Sequence, residues 1–209
     1  HYTSKSKTKD TIAPSSSFTI GSSTTGSNGW YKALTVQVNL SDNGSGVSSA
    51  KYCTTTGSTC TPNVDASISN NTFKVTLGSN ASAQRVCTQV TDVAGNTSST
   101  ICSGTYKVDT TNPTAKISAS SSGSNITVSA SGSSDAHSGI ASYQYSRNNS
   151  TWYTSTSNSY TFTGLSDGTY TVYVKITDKS GRVSGTVSTT VTVSTSLTLL
   201  NNGNNGSSG

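Results

Sequence analysis

All acidic residues in this chain are aspartates, and five of them, Asp42, Asp92, Asp109, Asp135 and Asp178, sit in loops rich in Ser, Gly and Asn. Calcium takes about six to eight oxygens from carboxylates, carbonyls and amides. Loops that each bring one Asp could gather into such a site, and the set around Asp109, midway along the chain, is the first candidate. The competing reading is that Asp in these loops bonds its own backbone as an Asx-turn. Calcium is the one cofactor for which the residues give any case.

Histidine offers less. His137 lies in Ser134-Asp135-Ala136-His137-Ser138-Gly139, which supplies Ser, His and Asp within a single turn. A catalytic triad needs those three on separate supports beside an oxyanion site, so His137 is read as an exposed loop residue and the chain as no enzyme. His1 could bind copper through its amine and ring only with a second fixed His. A Lys-Asn isopeptide crosslink would need a buried acid that cannot be placed. Two aromatic pairs, Trp30-Tyr31 and Trp152-Tyr153, suggest stacking on sugar rings, with Trp30, Trp152 and Tyr153 as the ligand-binding candidates. Each pair alternates, so one ring of the two should face a core, which makes packing the competing role.

The four cysteines are Cys53, Cys60, Cys87 and Cys102. Their spacings do not match the close Cys pairs of structural zinc, and disulfides are the expected chemistry. Around a turn at Asp92–Asn96, Cys87 and Cys102 fall nearly opposite each other, leaving Cys53 to close a short loop with Cys60. Cys53 with Cys87 stays open as an alternative, because four cysteines allow three connectivities. Cys87 alternates with Val86 and Val90, so both bridges are expected on the outer surface.

The elements that must hold these residues come from a twofold repeat. Asp10-Thr11-Ile12-Ala13-Pro14 recurs as Asp109-Thr110-Thr111-Asn112-Pro113, Ser41–Val47 as Ser134–Ile140, and Val86–Asp92 as Val172–Asp178, at offsets of 99, 93 and 86. A shrinking offset is one duplicated unit whose second copy has shorter loops. In Thr169–Thr177, Tyr170, Val172, Val174 and Ile176 fall on one face and Thr169, Thr171, Tyr173 and Lys175 on the other, the period of a half-buried strand. Asp178-Lys179-Ser180-Gly181 then turns the chain into a second Thr/Val strand. Leu165 to Tyr170 reads as a tyrosine corner, with Gln84 in the Tyr place of the first copy. Pro14 and Pro113 mark extended entries to each copy. The boundaries are therefore 1–9 linker, 10–108 first sandwich, 109–195 second sandwich, and 196–209 a flexible tail.

Composition supports this. Hydrophobic residues make up 30% of the 209 and charged residues 10%, with Val, Thr, Ile and Tyr frequent, which favours strands and leaves little material for surface helices. The net charge of +5 is dispersed apart from Lys5, Lys7 and Lys9, so no nucleic-acid partner is expected. No apolar run approaches the roughly 18 residues of a membrane span, so no membrane insertion is expected in this segment. The numbered chain reads as a mature or trimmed piece of a longer exported protein. Its Asn-x-Ser/Thr sequons are what chance gives in a chain so rich in those residues.

The motifs Asp-Thr-x-x-Pro, Ser-Asp-x-x-Ser-Gly-Val/Ile and Thr-Asp-x-x-Gly-Asn/Arg resemble those of bacterial Ig-like, fibronectin III-like repeats found in tandem on surface proteins and adhesins. The resemblance covers about residues 10 to 195, and the segment from Tyr52-Cys53 to Cys60-Thr61-Pro62 is similar to a cysteine-bearing subgroup. It departs in copy two, which lacks cysteines and has Arg182 in place of Asn96. The resemblance implies two tandem all-β immunoglobulin-like sandwiches at the cell surface or outside the cell. Their role would be that of a stalk, spacer or filament subunit, with other surface domains or subunits of the same assembly as partners. A glycan- or host-protein-binding module beside an adhesin or secreted enzyme is the alternative.

Overall fold

The computed structural model describes residues 9–195. The linker expected over 1–9, apart from Lys9, and the tail expected over 196–209 lie outside the described residues. Among the described residues there are fifteen β-strands and no helix. The chain is all-β, as its β-branched, aromatic and Ser/Thr-rich alternation dictates. It packs as two units: the described part of His1–Thr114 with Ser134–Ala141 and Thr177–Ser184, and Ala115–Ser133 with Ser142–Ile176 and the described part of Gly185–Gly209. These units depart from the repeat limits of 10–108 and 109–195. Two loops of the second repeat pack with the first unit, because they gather around Asp109 at the end of the chain leading out of it.

In the first unit, β1 (Ser15–Thr25) and β2 (Trp30–Ser41) form an antiparallel hairpin, and β5 (Thr72–Leu77) lies on β2 with Leu34 opposite Leu77, Val36 opposite Val75 and Val38 opposite Phe73. β3 (Val47–Thr55) pairs with β6 (Ala81–Asp92), flanked by β4 (Val64–Asp65) on β3 and β7 (Ile101–Cys102) on β6. β8 (Tyr106–Val108) joins the two groups, parallel to β2 and antiparallel to β6. Leu34, Val36, Val38 and Leu40 of β2 alternate inward and meet Phe73, Val75, Val86, Val90 and Val108 in one core. Each such side chain, fully buried, contributes about 1.5–3 kcal/mol of transfer free energy. Where β7 stops short, serine hydroxyls replace the ladder: Ser98 accepts from Val90 N–H (3.0 Å) and Ser103 from Val86 N–H (3.1 Å).

The second unit has seven strands, some of whose ends extend into the first. β9 (Ser118–Ser122), β10 (Asn125–Ser129) and β13 (Ser159–Phe162) make one sheet; β11 (Ile140–Ser146), β12 (Tyr153–Ser155), β14 (Gly168–Asp178) and β15 (Val187–Val193) make the other. Val172, Val174 and Ile176 of β14 are buried with Ile126, Val128 and Phe162 from the facing sheet. Tyr145 is also fully buried; its hydroxyl donates to Ser157 O (2.9 Å), and burial pushes its phenol up to about 12. The tyrosine corner forms, with Tyr170 OH donating to Ser166 O at 2.8 Å. In the first unit Gln84 is buried instead, and its Oε1 accepts no hydrogen bond from the protein.

The disulfides join Cys53 to Cys60 and Cys87 to Cys102. Their expected place on the outer surface needs correction. Cys60 and Cys102 are half-buried, but Cys53 is 8% exposed and Cys87 0%. Cys87 sits between Cys53 and Cys102 in the sheet, and the loop closed by Cys53–Cys60 covers it, with Thr59 Oγ1 lying 3.6 Å from Cys102 Sγ.

Candidate functional site

The aspartates predicted from sequence fall into two groups. Oxygens of Asp109, Asp135 and Asp178 lie within 4.8 Å of one another, and those of Asp42 and Asp92 do so with Asp10. Asp10 was missing from the candidates, although its repeat partner Asp109 was among them; the offset of 99 between the two Asp-Thr-x-x-Pro motifs was the signal that could have found it.

Backbone chemistry builds the two groups alike. Asp10 accepts from Ile12 N–H (3.0 Å) and Ser45 N–H (2.7 Å), and Asp109 from Thr111 N–H (2.9 Å) and Ser138 N–H (3.0 Å). Asp42 Oδ2 takes Gly44 and Gly46 N–H; Asp135 Oδ2 takes His137 and Gly139 N–H. Asp92 Oδ1 takes Asn96 N–H and Asp178 Oδ1 takes Arg182 N–H, at 2.8 and 2.9 Å. The loops need left-handed backbone at Gly46 (φ 89°) and Gly139 (φ 79°), which glycine adopts without steric cost. The Asx-turn reading therefore describes much of what these carboxylates do.

These bonds set the charge. The N–H groups of Ile12 and Ser45 hold the Asp10 carboxyl below the usual range. Burial pushes Asp109 upward, but its bonds to Ser138 and Thr111, with His137 nearby, outweigh that and leave it lowered.

The groups differ at the residue that follows the turn glycine. Asn96 Nδ2 donates to Asp92 Oδ2 (2.7 Å) and to Asp10 O (3.2 Å). Arg182, its counterpart, turns away, giving Nε to Asp109 O (2.9 Å) and Nη2 to Lys32 O (3.0 Å). Asp178 Oδ2 and Asp135 Oδ1 are buried and no donor reaches them; in the first group only Asp42 Oδ1 is left so.

His137 is exposed, and the Ser138 hydroxyl donates to Asp135 Oδ2 (3.3 Å), so the serine proton is directed at a carboxylate rather than an imidazole. Among the aromatic candidates Trp30 requires correction: at 8% exposure it belongs to the core and offers no ring to a ligand. Trp152 is half-buried with the Lys175 ammonium 4.1 Å from its ring centroid. Tyr153 is 42% exposed. It stacks on Tyr160 (5.3 Å) and meets Phe162 edge-on (5.7 Å), and Tyr160 stacks in turn on buried Tyr145 (5.5 Å). Tyr160 and Phe162 were not among the sequence candidates, because β13 brings them to β12 only in the folded unit.

A family model described as the Y_Y_Y domain matches residues 136–194, within the second repeat. No curated protein matches the chain. Among solved structures, the chain is similar to the PKD1 domain of the Vibrio cholerae metalloprotease PrtV, at 25% identity over 40% of this chain and 98% of that one, with a TM-score of 0.34. It is also similar to the PKD1 domain of Vibrio anguillarum Epp, at 22% identity over 40% and 94% with a TM-score of 0.34. A further similarity is to the fibronectin(III)-like modules of Clostridium thermocellum CbhA, at 17% identity over 85% and 94% with a TM-score of 0.42. In its own strand order and its own buried residues, the chain is an all-β protein whose second unit buries its core between a three-stranded and a four-stranded sheet.

Proposed function

We propose that this chain is a non-catalytic structural module of an extracellular bacterial surface protein, serving as a stalk, spacer or filament subunit. One observation supports this above others: the residues able to do chemistry are engaged in holding the fold. All four cysteines are in disulfides, and the loop aspartates accept backbone N–H groups. Disulfides of this kind persist in oxidising compartments, which supports export. A module that must survive outside the cell gains from such crosslinks, each stabilising by about 2–3 kcal/mol for loops of this length.

The second reading is a glycan- or host-protein-binding module, favoured by the exposed Tyr153 ring resting on Tyr160. Screening the 209-residue chain against glycan and matrix-protein arrays separates the two. A structural module gives no saturable binding. Binding that is saturable and lost in Tyr153→Ala, with the circular dichroism spectrum retained, would replace the first reading by the second.

A further inference from the structure

We propose that Asp109, Asp135 and Asp178 form a calcium site, and that the corresponding group in the first repeat, Asp10, Asp42 and Asp92, does not. The proposal is independent of whether the module is a spacer or a binder.

Spacing supplies the first argument. Calcium–oxygen bonds are about 2.3–2.6 Å, so two ligands of one ion are at most about 5 Å apart. One oxygen from each of Asp109, Asp135 and Asp178 lies within 4.8 Å of the others. Three carboxylates with no nitrogen or sulfur among them suit a hard cation.

Two oxygens of the group are also left without a donor. Asp178 is 1% exposed, and its Oδ2 receives nothing from the protein, while Oδ1 takes Ser180 Oγ–H (2.7 Å) and Arg182 N–H. Asp135 Oδ1 is buried and unpartnered in the same cluster. A buried carboxylate oxygen without a partner is unfavourable, and a divalent cation between these carboxylates would supply one. Of the positive groups nearby, Arg182 is bound to the Asp109 and Lys32 carbonyls, and no ion pair reaches the cluster, the one among the described residues being Lys51–Asp65. His137 and Lys179 lie on the same loops, His137 exposed.

The first repeat explains the asymmetry. There Asn96 Nδ2 occupies Asp92 Oδ2, so an amide holds the place that a cation takes in the second repeat. The substitution of Arg182 for Asn96 is what frees the oxygen.

Calorimetric titration of the EDTA-treated 209-residue chain with calcium chloride tests this. The expected result is one ion per chain, with a Kd in the range of about 10⁻⁴–10⁻³ M usual for extracellular modules, and magnesium weaker. Asp178→Asn should abolish binding. Arg182→Asn, which restores the first repeat's amide, should weaken it about tenfold or more. That variant also removes a positive charge, so diffuse attraction to acidic loops would instead make it bind more tightly. If Asp178→Asn fails to fold, Arg182→Asn decides. No saturable binding by the unaltered chain up to about 10 mM, or binding by folded Arg182→Asn as tight as that of the unaltered chain, overturns the proposal.

Discussion

Asp109 shows how a buried carboxylate is kept charged. It is 0% exposed, and burial opposes ionisation, but Ser138 and Thr111 supply bonds that favour the anion more strongly. Asp10 and Asp167 are lowered too, Asp10 by the N–H groups of Ile12 and Ser45 and Asp167 by the hydroxyl and N–H of Thr195 (2.6 and 2.9 Å). A carboxyl depressed by folding stabilises fully above its unfolded value of 3.8 and loses that contribution as pH falls through its lower folded value. Thermal midpoints are therefore expected to stay nearly level between about pH 7 and pH 5 and to fall below about pH 4. A midpoint that rises on acidification through that range would contradict these assignments. At this scale sequence shows that Asp recurs in loops with Gly and Ser, since a local turn needs those types. It does not show that three loops meet, because that depends on tertiary packing of residues as far apart as Asp10 and Asp92.

Strand β14 was legible because its alternation is local. Val172, Val174 and Ile176 are buried, and β15 returns along it with Val191 opposite Tyr170. The Leu165 to Tyr170 segment was legible for the same reason, since its hydrogen bond spans only four residues. Tyr170→Phe should lower the stability of the second unit by about 0.5–1.5 kcal/mol, the net worth of one such bond, measured by urea unfolding. An unchanged midpoint would show that the corner contributes nothing. The register of Cys87 with Cys102 could be counted from the turn, whereas the burial of Cys87 could not, because the covering loop lies next to it only after Cys53 closes on Cys60. The serine-rich strand β9 carries no apolar alternation to announce it, and its pairing with β10 is set by the Ile126 and Val128 face of its neighbour.

For the whole molecule, the duplicated motifs give two packed units but not their limits. Repeats are copied as stretches of chain, whereas units are defined by packing, which is why Ser134–Ala141 and Thr177–Ser184 belong with the first. The proposed role needs two packed units, one of them crosslinked, with reactive side chains given over to structure. Single-molecule stretching of the 209-residue chain tests this most directly. It should give two unfolding events, and reductant should lengthen one of them by about 70 Å in total, since extended chain spans about 3.3–3.6 Å per residue and the bridges close spans of 7 and 15 residues. A single cooperative event, or two events that reductant leaves unchanged in length, would contradict it.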